Sequence, residues 1–261
     1  MQGYEFYMMI KNLKKLGMVG IFSLAITSAY ADDSPVTFIP QTVEIAGYSI
    51  PYAIFVPQVE NTKGLGITLY LHGSGQAGSD GIGQTTAGIG PALESHPQDF
   101  PTIVVLPQAP SGLSWDDQVD SKNPNSPNLT ALVLKALSDT MQAYESDPNR
   151  VYLTGNSLGG GATWKIGSEH PDLFAAIMPI CGYGDLSMAE PLKNMPIYAF
   201  HGLLDFNVKV DESRRLVAAV EATGNTRVHY TEYPWDFHDA WDDAYADDTQ
   251  LQEFFAEKLP H

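Results

Sequence analysis

The run Gly155-Asn156-Ser157-Leu158-Gly159, continued by Gly160 and Gly161, has the G-x-S-x-G spacing in which a serine hydroxyl can be made nucleophilic. That chemistry needs Oγ held on a tight strand-to-helix turn, with small residues on either side so that backbone and substrate approach closely. The flanks agree: residues 151–154 read as an apolar strand and 158–169 as a helix. Serine alone is a poor nucleophile and needs an imidazole base that is itself oriented by a carboxylate. Asp205 follows the apolar run 197–200 and is the expected orienting acid, with Asp185 and Asp211 as rivals. Asp211 fits better as a first-turn acid of the next helix. His238, beyond the last strand-like run at 227–233, is the expected base. His229 falls inside a strand, His170 at a helix end, His96 in a turn, and His72 and His201 at strand ends before glycine, where a structural role is the default; His261 is terminal.

Acyl transfer also needs donors for an oxyanion. The Leu158 N–H, next after the nucleophile, is one expected donor, and the Ser74 N–H in Leu71-His72-Gly73-Ser74-Gly75 is the other, with Gly73 as its rival. Trp115, Tyr183, Trp235 and Trp241 fall in or beside strand-end loops, where they either line a substrate pocket or pack in the core. Cys181 ends an apolar strand and reads as a buried thiol, since no base is left for it. Asp242, Asp243, Asp247 and Asp248 lack the spacing of a calcium loop and read as a solvated acidic surface. Neither a metal nor a cofactor is expected.

These residues need strand ends to stand on. Runs 42–45 and 49–56 predict an opening antiparallel pair. Strands are expected at 66–71, 102–106, 151–154, 175–180, 197–200 and 227–233, and helices near 89–95, 129–144, 158–169, 211–222 and 249–259. Residues 129–144 carry an amphipathic spacing, with Asn128 as the cap. Strands alternating with helices predict an α/β fold, a mostly parallel sheet covered on both faces, with the site at the carboxyl ends of its strands. The segment 181–195 is too short for a large lid.

The chain has 261 residues and a formal net charge of −17 with a single cysteine, so a disulfide framework and phosphate-backbone binding are both disfavoured. Lys11, Lys14 and Lys15 precede an uncharged run at 16–29, and Ala29-Tyr30-Ala31 supplies small residues for cleavage. Residues 1–31 therefore read as a signal peptide and 34–261 as one catalytic domain, exported to the periplasm or beyond, with no stable membrane span. Removing three of the lysines with that leader leaves the exported part still more acidic.

From about residue 42 to 259 the chain resembles an α/β-hydrolase. The stretch Tyr152-Leu153-Thr154-Gly155-Asn156-Ser157-Leu158-Gly159-Gly160-Gly161-Ala162-Thr163-Trp164, the stretch His170-Pro171-Asp172-Leu173-Phe174-Ala175-Ala176, and 235–241 are similar to a secreted esterase group. That group takes in phospholipase/carboxylesterase, polyhydroxybutyrate-depolymerase-like and "predicted peptidase" members. The resemblance implies a serine hydrolase of small or polymer-derived carboxylic esters, with Ser157, His238 and Asp205 acting together. A peptidase using the same residues and a non-catalytic binding module are the alternative readings, and oligomeric state stays open.

Overall fold

The computed structural model describes residues 36–259. The expected leader at 1–31 and the terminal His261 lie outside the described residues.

The chain opens with β1 (Ile39–Ile45) and β2 (Tyr48–Phe55), paired antiparallel as the turn at Ala46 and Gly47 requires. Both turn residues have positive φ, 51° and 82°. Then come β3 (Gly66–Leu71), α1 (Ile89–Ser95), β4 (Thr102–Pro107), α2 (Leu129–Ala143), β5 (Val151–Asn156), α3 (Leu158–Glu169), β6 (Ala176–Ile180), β7 (Ile197–Gly202), α4 (Asp211–Ala222), β8 (Val228–Tyr233), α5 (Trp241–Ala244) and α6 (Asp248–Ala256). The eight strands form one sheet in the order β1-β2-β4-β3-β5-β6-β7-β8. It is antiparallel at β1/β2 and β2/β4 and parallel elsewhere. The expected α/β architecture is the observed one. The differences are local: β1 begins three residues earlier, strands β5 and β7 each run two residues further, α6 stops at Ala256, and α5 went unforeseen because four residues carry no readable period.

Every residue of β3 to β7 is buried, as strands covered on both faces must be. One face packs with α2, α3 and α4 through Leu132, Trp164 and Leu216, and the other with α1, α5 and α6 through Leu93, Ala244 and Phe254. Asn128 caps α2, its side chain accepting from the Ala131 N–H at 2.9 Å. The sheet is thereby clamped between two helical layers, and the loops at the carboxyl ends of β3, β5, β7 and β8 are left to carry chemistry.

Candidate active site

Ser157 joins β5 to α3 with φ 56° and ψ −116°, a conformation that L side chains rarely adopt. Its N–H donates to Ile180 O at 2.9 Å and its C=O accepts from Gly161 N at 3.0 Å, so the strained peptide is bonded on both sides. Glycine is required around it. A β-carbon on Gly159 would overlap the Leu71 carbonyl, and one on Gly155 would come within 2.6 Å of Gly159 O.

Asp205 lies just beyond β7 and His238 beyond β8. Their loops interlock through Leu203 N–H to Tyr233 O and Leu204 N–H to Asp236 O, each 2.9 Å. The structure brings the three side chains into one chain: Ser157 Oγ is 2.8 Å from His238 Nε2, and His238 Nδ1 is 2.6 Å from Asp205 Oδ2. A carboxylate only accepts, so Nδ1 carries the proton and Nε2 is free to take the hydroxyl's. Asp205 Oδ1 accepts from Asn207 N–H at 2.8 Å and Val208 N–H at 2.9 Å. Trp241 meets the His238 ring edge-on, with centroids 5.4 Å apart. The rivals stand elsewhere: Asp185 caps a short turn by accepting from Ser187 N–H, and Asp211 bonds to Arg214 in the first turn of α4.

The Gly73-Ser74 loop lies against Ser157; a β-carbon on Gly73 would sit 3.3 Å from that of Ser157. His72 sets this loop. Its Nδ1–H donates to Gly73 O at 2.6 Å, its Nε2 accepts from Ala109 N–H at 2.9 Å, and its own carbonyl accepts from Trp115 Nε1 at 3.1 Å. Burial pulls the His72 pKa down to about 4, so the ring is neutral at pH 7 and can accept from Ala109. In a trans peptide the Gly73 C=O and Ser74 N–H point opposite ways, so tying the carbonyl to His72 fixes where the Ser74 N–H points.

The four aromatic candidates separate. Trp115, 2% exposed, and Tyr183 both line a cleft of about 200 Å³ that begins at Leu158. Trp235, 82% exposed, projects into solvent from the loop before His238, and Trp241 packs beneath the imidazole; neither lines that cleft. The cleft is also lined by the apolar Ala162, Ile166 and Met188 and by Asp116 and Lys165, whose charged groups are 3.8 Å apart. Asp116 and Lys165 escaped the sequence reading, whereas His72 and His201, expected to be structural, are buried and hydrogen-bonded, and only their partners went unread. Asp116 and Lys165 lie in a loop and on a helix with no motif that would mark them.

Cys181 is buried, and burial pushes its thiol up to about 12. Its Sγ, one Asp205 oxygen and one His238 nitrogen lie within 4.8 Å of one another. Because the thiol holds its proton and the other two groups share a hydrogen bond, a cation would have to displace protons to enter. Asp247 caps α6, accepting from Gln250 N–H at 3.1 Å, while Asp242 and Asp243 lie on α5. Among the described residues no helix is long and apolar enough to cross a membrane.

A mostly parallel sheet in this strand order, with a serine on a strained elbow bonded to a later histidine and acid, defines the α/β-hydrolase class. Within that class the chain belongs to the Esterase family, whose model matches residues 44–253. It is 32% identical over 117 residues to a poly(3-hydroxybutyrate) depolymerase of Ralstonia pickettii, a match covering 42% of this chain and 24% of that one. To acetylxylan esterase A of Emericella nidulans it is 27% identical over 138 residues, 51% of this chain and 42% of that one. The chain thus spans less than half the length of these curated relatives. A crystal structure of a thermostable esterase superimposes with a TM-score of 0.75 at 34% identity, covering 85% of this chain and 63% of that one.

Proposed function

We propose that the protein is an exported serine hydrolase of carboxylic esters that works through an acyl-enzyme. The observation that carries this reading is the unbroken hydrogen-bonded chain from Ser157 Oγ through His238 to Asp205 at the ends of β5, β8 and β7. Ser157 attacks the ester carbonyl while His238 Nε2 takes its proton, and Asp205 holds the resulting imidazolium in place. The tetrahedral oxyanion sits between the N–H groups of Leu158 and Ser74. The first is a helix-terminal donor without an intrahelical acceptor, and the second is aimed by the anchored Gly73 carbonyl. His238 then protonates the leaving alkoxide, and water, activated by the same imidazole, releases the acid. The cleft beside Leu158 takes one flank of the substrate, its apolar lining of Ala162, Ile166 and Met188 meeting carbon and Asp116, Lys165 and Tyr183 offering polar groups. The relatives named for polyester and acetylxylan supply the substrate classes to try first. Residues 1–31, leader-like in sequence, direct export.

The test sets p-nitrophenyl acetate, p-nitrophenyl butyrate and hydroxybutyrate esters beside peptide p-nitroanilides. Ester turnover with anilide cleavage at least about 10²-fold slower is the expected result; faster anilide cleavage would make the protein a peptidase on the same residues.

A further inference from the structure

The carboxylate of Asp205 meets two imidazoles. Its Oδ2 lies 2.6 Å from Nδ1 of His238 and 3.4 Å from Nε2 of His201. His201, the next-to-last residue of strand β7, is closed to solvent, and both its nitrogens have partners: Nδ1 is 2.7 Å from Ser213 Oγ and Nε2 is 2.9 Å from Val208 O. A carbonyl oxygen only accepts, so Nε2 carries the ring proton. Nδ1 must then accept, and the buried Ser213 hydroxyl, on α4, donates to it. Burial lowers the His201 pKa, which keeps the ring neutral in this one tautomer at pH 7.

Val208 is held through both of its backbone groups, its N–H donating to Asp205 Oδ1 and its C=O accepting from His201 Nε2. Asn207 N–H adds a second bond to Oδ1. The loop 205–208 is therefore a hydrogen-bonded ring around the carboxylate, seated on α4 through His201 and Ser213. Without His201, the ring loses that seat, Val208 O is left without its donor, and Oδ2 loses a neighbour that opposes rotation of the carboxylate.

We propose that His201 is a positioning residue for Asp205: by fixing the 205–208 loop through Val208 O, it sets the carboxylate in the plane where it receives His238. This rests on the reading of Ser157, His238 and Asp205 as the reacting chain. A displacement near 1 Å at such a group costs about 10² in rate, whereas substrate contacts stay in place. The effect therefore falls on kcat and spares KM.

The experiment compares wild type, H201L, H201Q and S213A, checked for folding by thermal melting. It uses p-nitrophenyl butyrate kinetics and the downfield proton resonance of His238 Nδ1–H. H201L is expected to lose about 10² in kcat with KM within about twofold, and to shift or broaden the resonance. H201Q, whose amide N–H reaches toward Val208 O, recovers to within about tenfold of wild type, and S213A falls between. A folded H201L with wild-type kcat overturns the proposal, as does an H201Q no better than a folded H201L. If H201L does not fold, S213A decides: a several-fold kcat loss at constant KM supports the proposal, and an unchanged kcat overturns it. A wild type that turns over no ester, yet whose resonance moves in H201Q or S213A, would sink the ester-hydrolase reading and leave His201 its role.

Discussion

The serine arm and the acid–base arm of the site are built by different means. At the end of β5, Ser157 is held by its own backbone. The positive φ, the bonds to Ile180 and Gly161, and the lack of room for a β-carbon at Gly155 and Gly159 leave the elbow one shape. Beyond β7 and β8, Asp205 and His238 occupy loops whose shape comes from polar groups distant in sequence: Val208, His201 and Ser213 around the acid, and Leu203 and Leu204 bonded to the loop of the base. The exposed Phe206, Trp235 and Phe237 on those loops, 81%, 82% and 50% accessible, add little burial to hold them. The contrast separates two kinds of fragility. Steric crowding fails through the fold, and a polar network fails through the chemistry while the fold survives.

Asp205→Asn should break the acid–base arm most sharply. An amide can hold the wrong imidazole tautomer, so kcat on p-nitrophenyl butyrate should fall by about 10⁴, with melting temperature within a few degrees of wild type. A fall below about tenfold would mean that Asp205 does not orient His238. Gly159→Ala should do the reverse. The new methyl has no place beside the Leu71 carbonyl, so stability should drop by about 4 kcal/mol or more in urea unfolding, among the largest single-residue effects. An alanine variant with unchanged midpoint and activity would show that the elbow relaxes freely.

A smaller effect sharpens the same contrast through pH. His72, which shapes the Ser74 loop, is buried and neutral, with its pKa lowered to about 4 from 6.5. The unfolded chain binds the proton first, so the stability His72 contributes is complete above about pH 6.5. It is lost as pH falls from there toward 4, on the order of 3 kcal/mol in all. His72→Gln should flatten that part of the stability profile, measured by urea unfolding from pH 7.5 to 4.5; parallel profiles would remove His72 from the account.

The two arms also differed in how far they could be read before folding. Ser157 stands inside its own motif, and both neighbouring elements are contiguous with it, so a local pattern sufficed. Asp205 and His238 were reachable only because each follows a strand, β7 and β8 in turn, which turns an order of elements into an expectation of place. What escaped has no local signal. His201 and Ser213 are bonded across a strand and a helix, Trp115 reaches His72 from 43 positions away, and the cleft joins residues 114–116 to 183–188 across α3. Helix α5, only four residues long, shows no period, yet it starts at the Trp241 that backs the His238 ring. Long-range hydrogen bonds and packing follow from strand order, and neither spacing nor composition specifies that β3 lies between β4 and β5.

The central claim is that Ser157 is the nucleophile, and fluorophosphonate labelling followed by peptide mass spectrometry tests it most directly. Wild type should take up one adduct per chain on the peptide containing Ser157. Ser157→Ala should take up none and lose at least about 10⁴ in p-nitrophenyl acetate turnover. Labelling of another serine, or equal turnover by the two proteins, would contradict it.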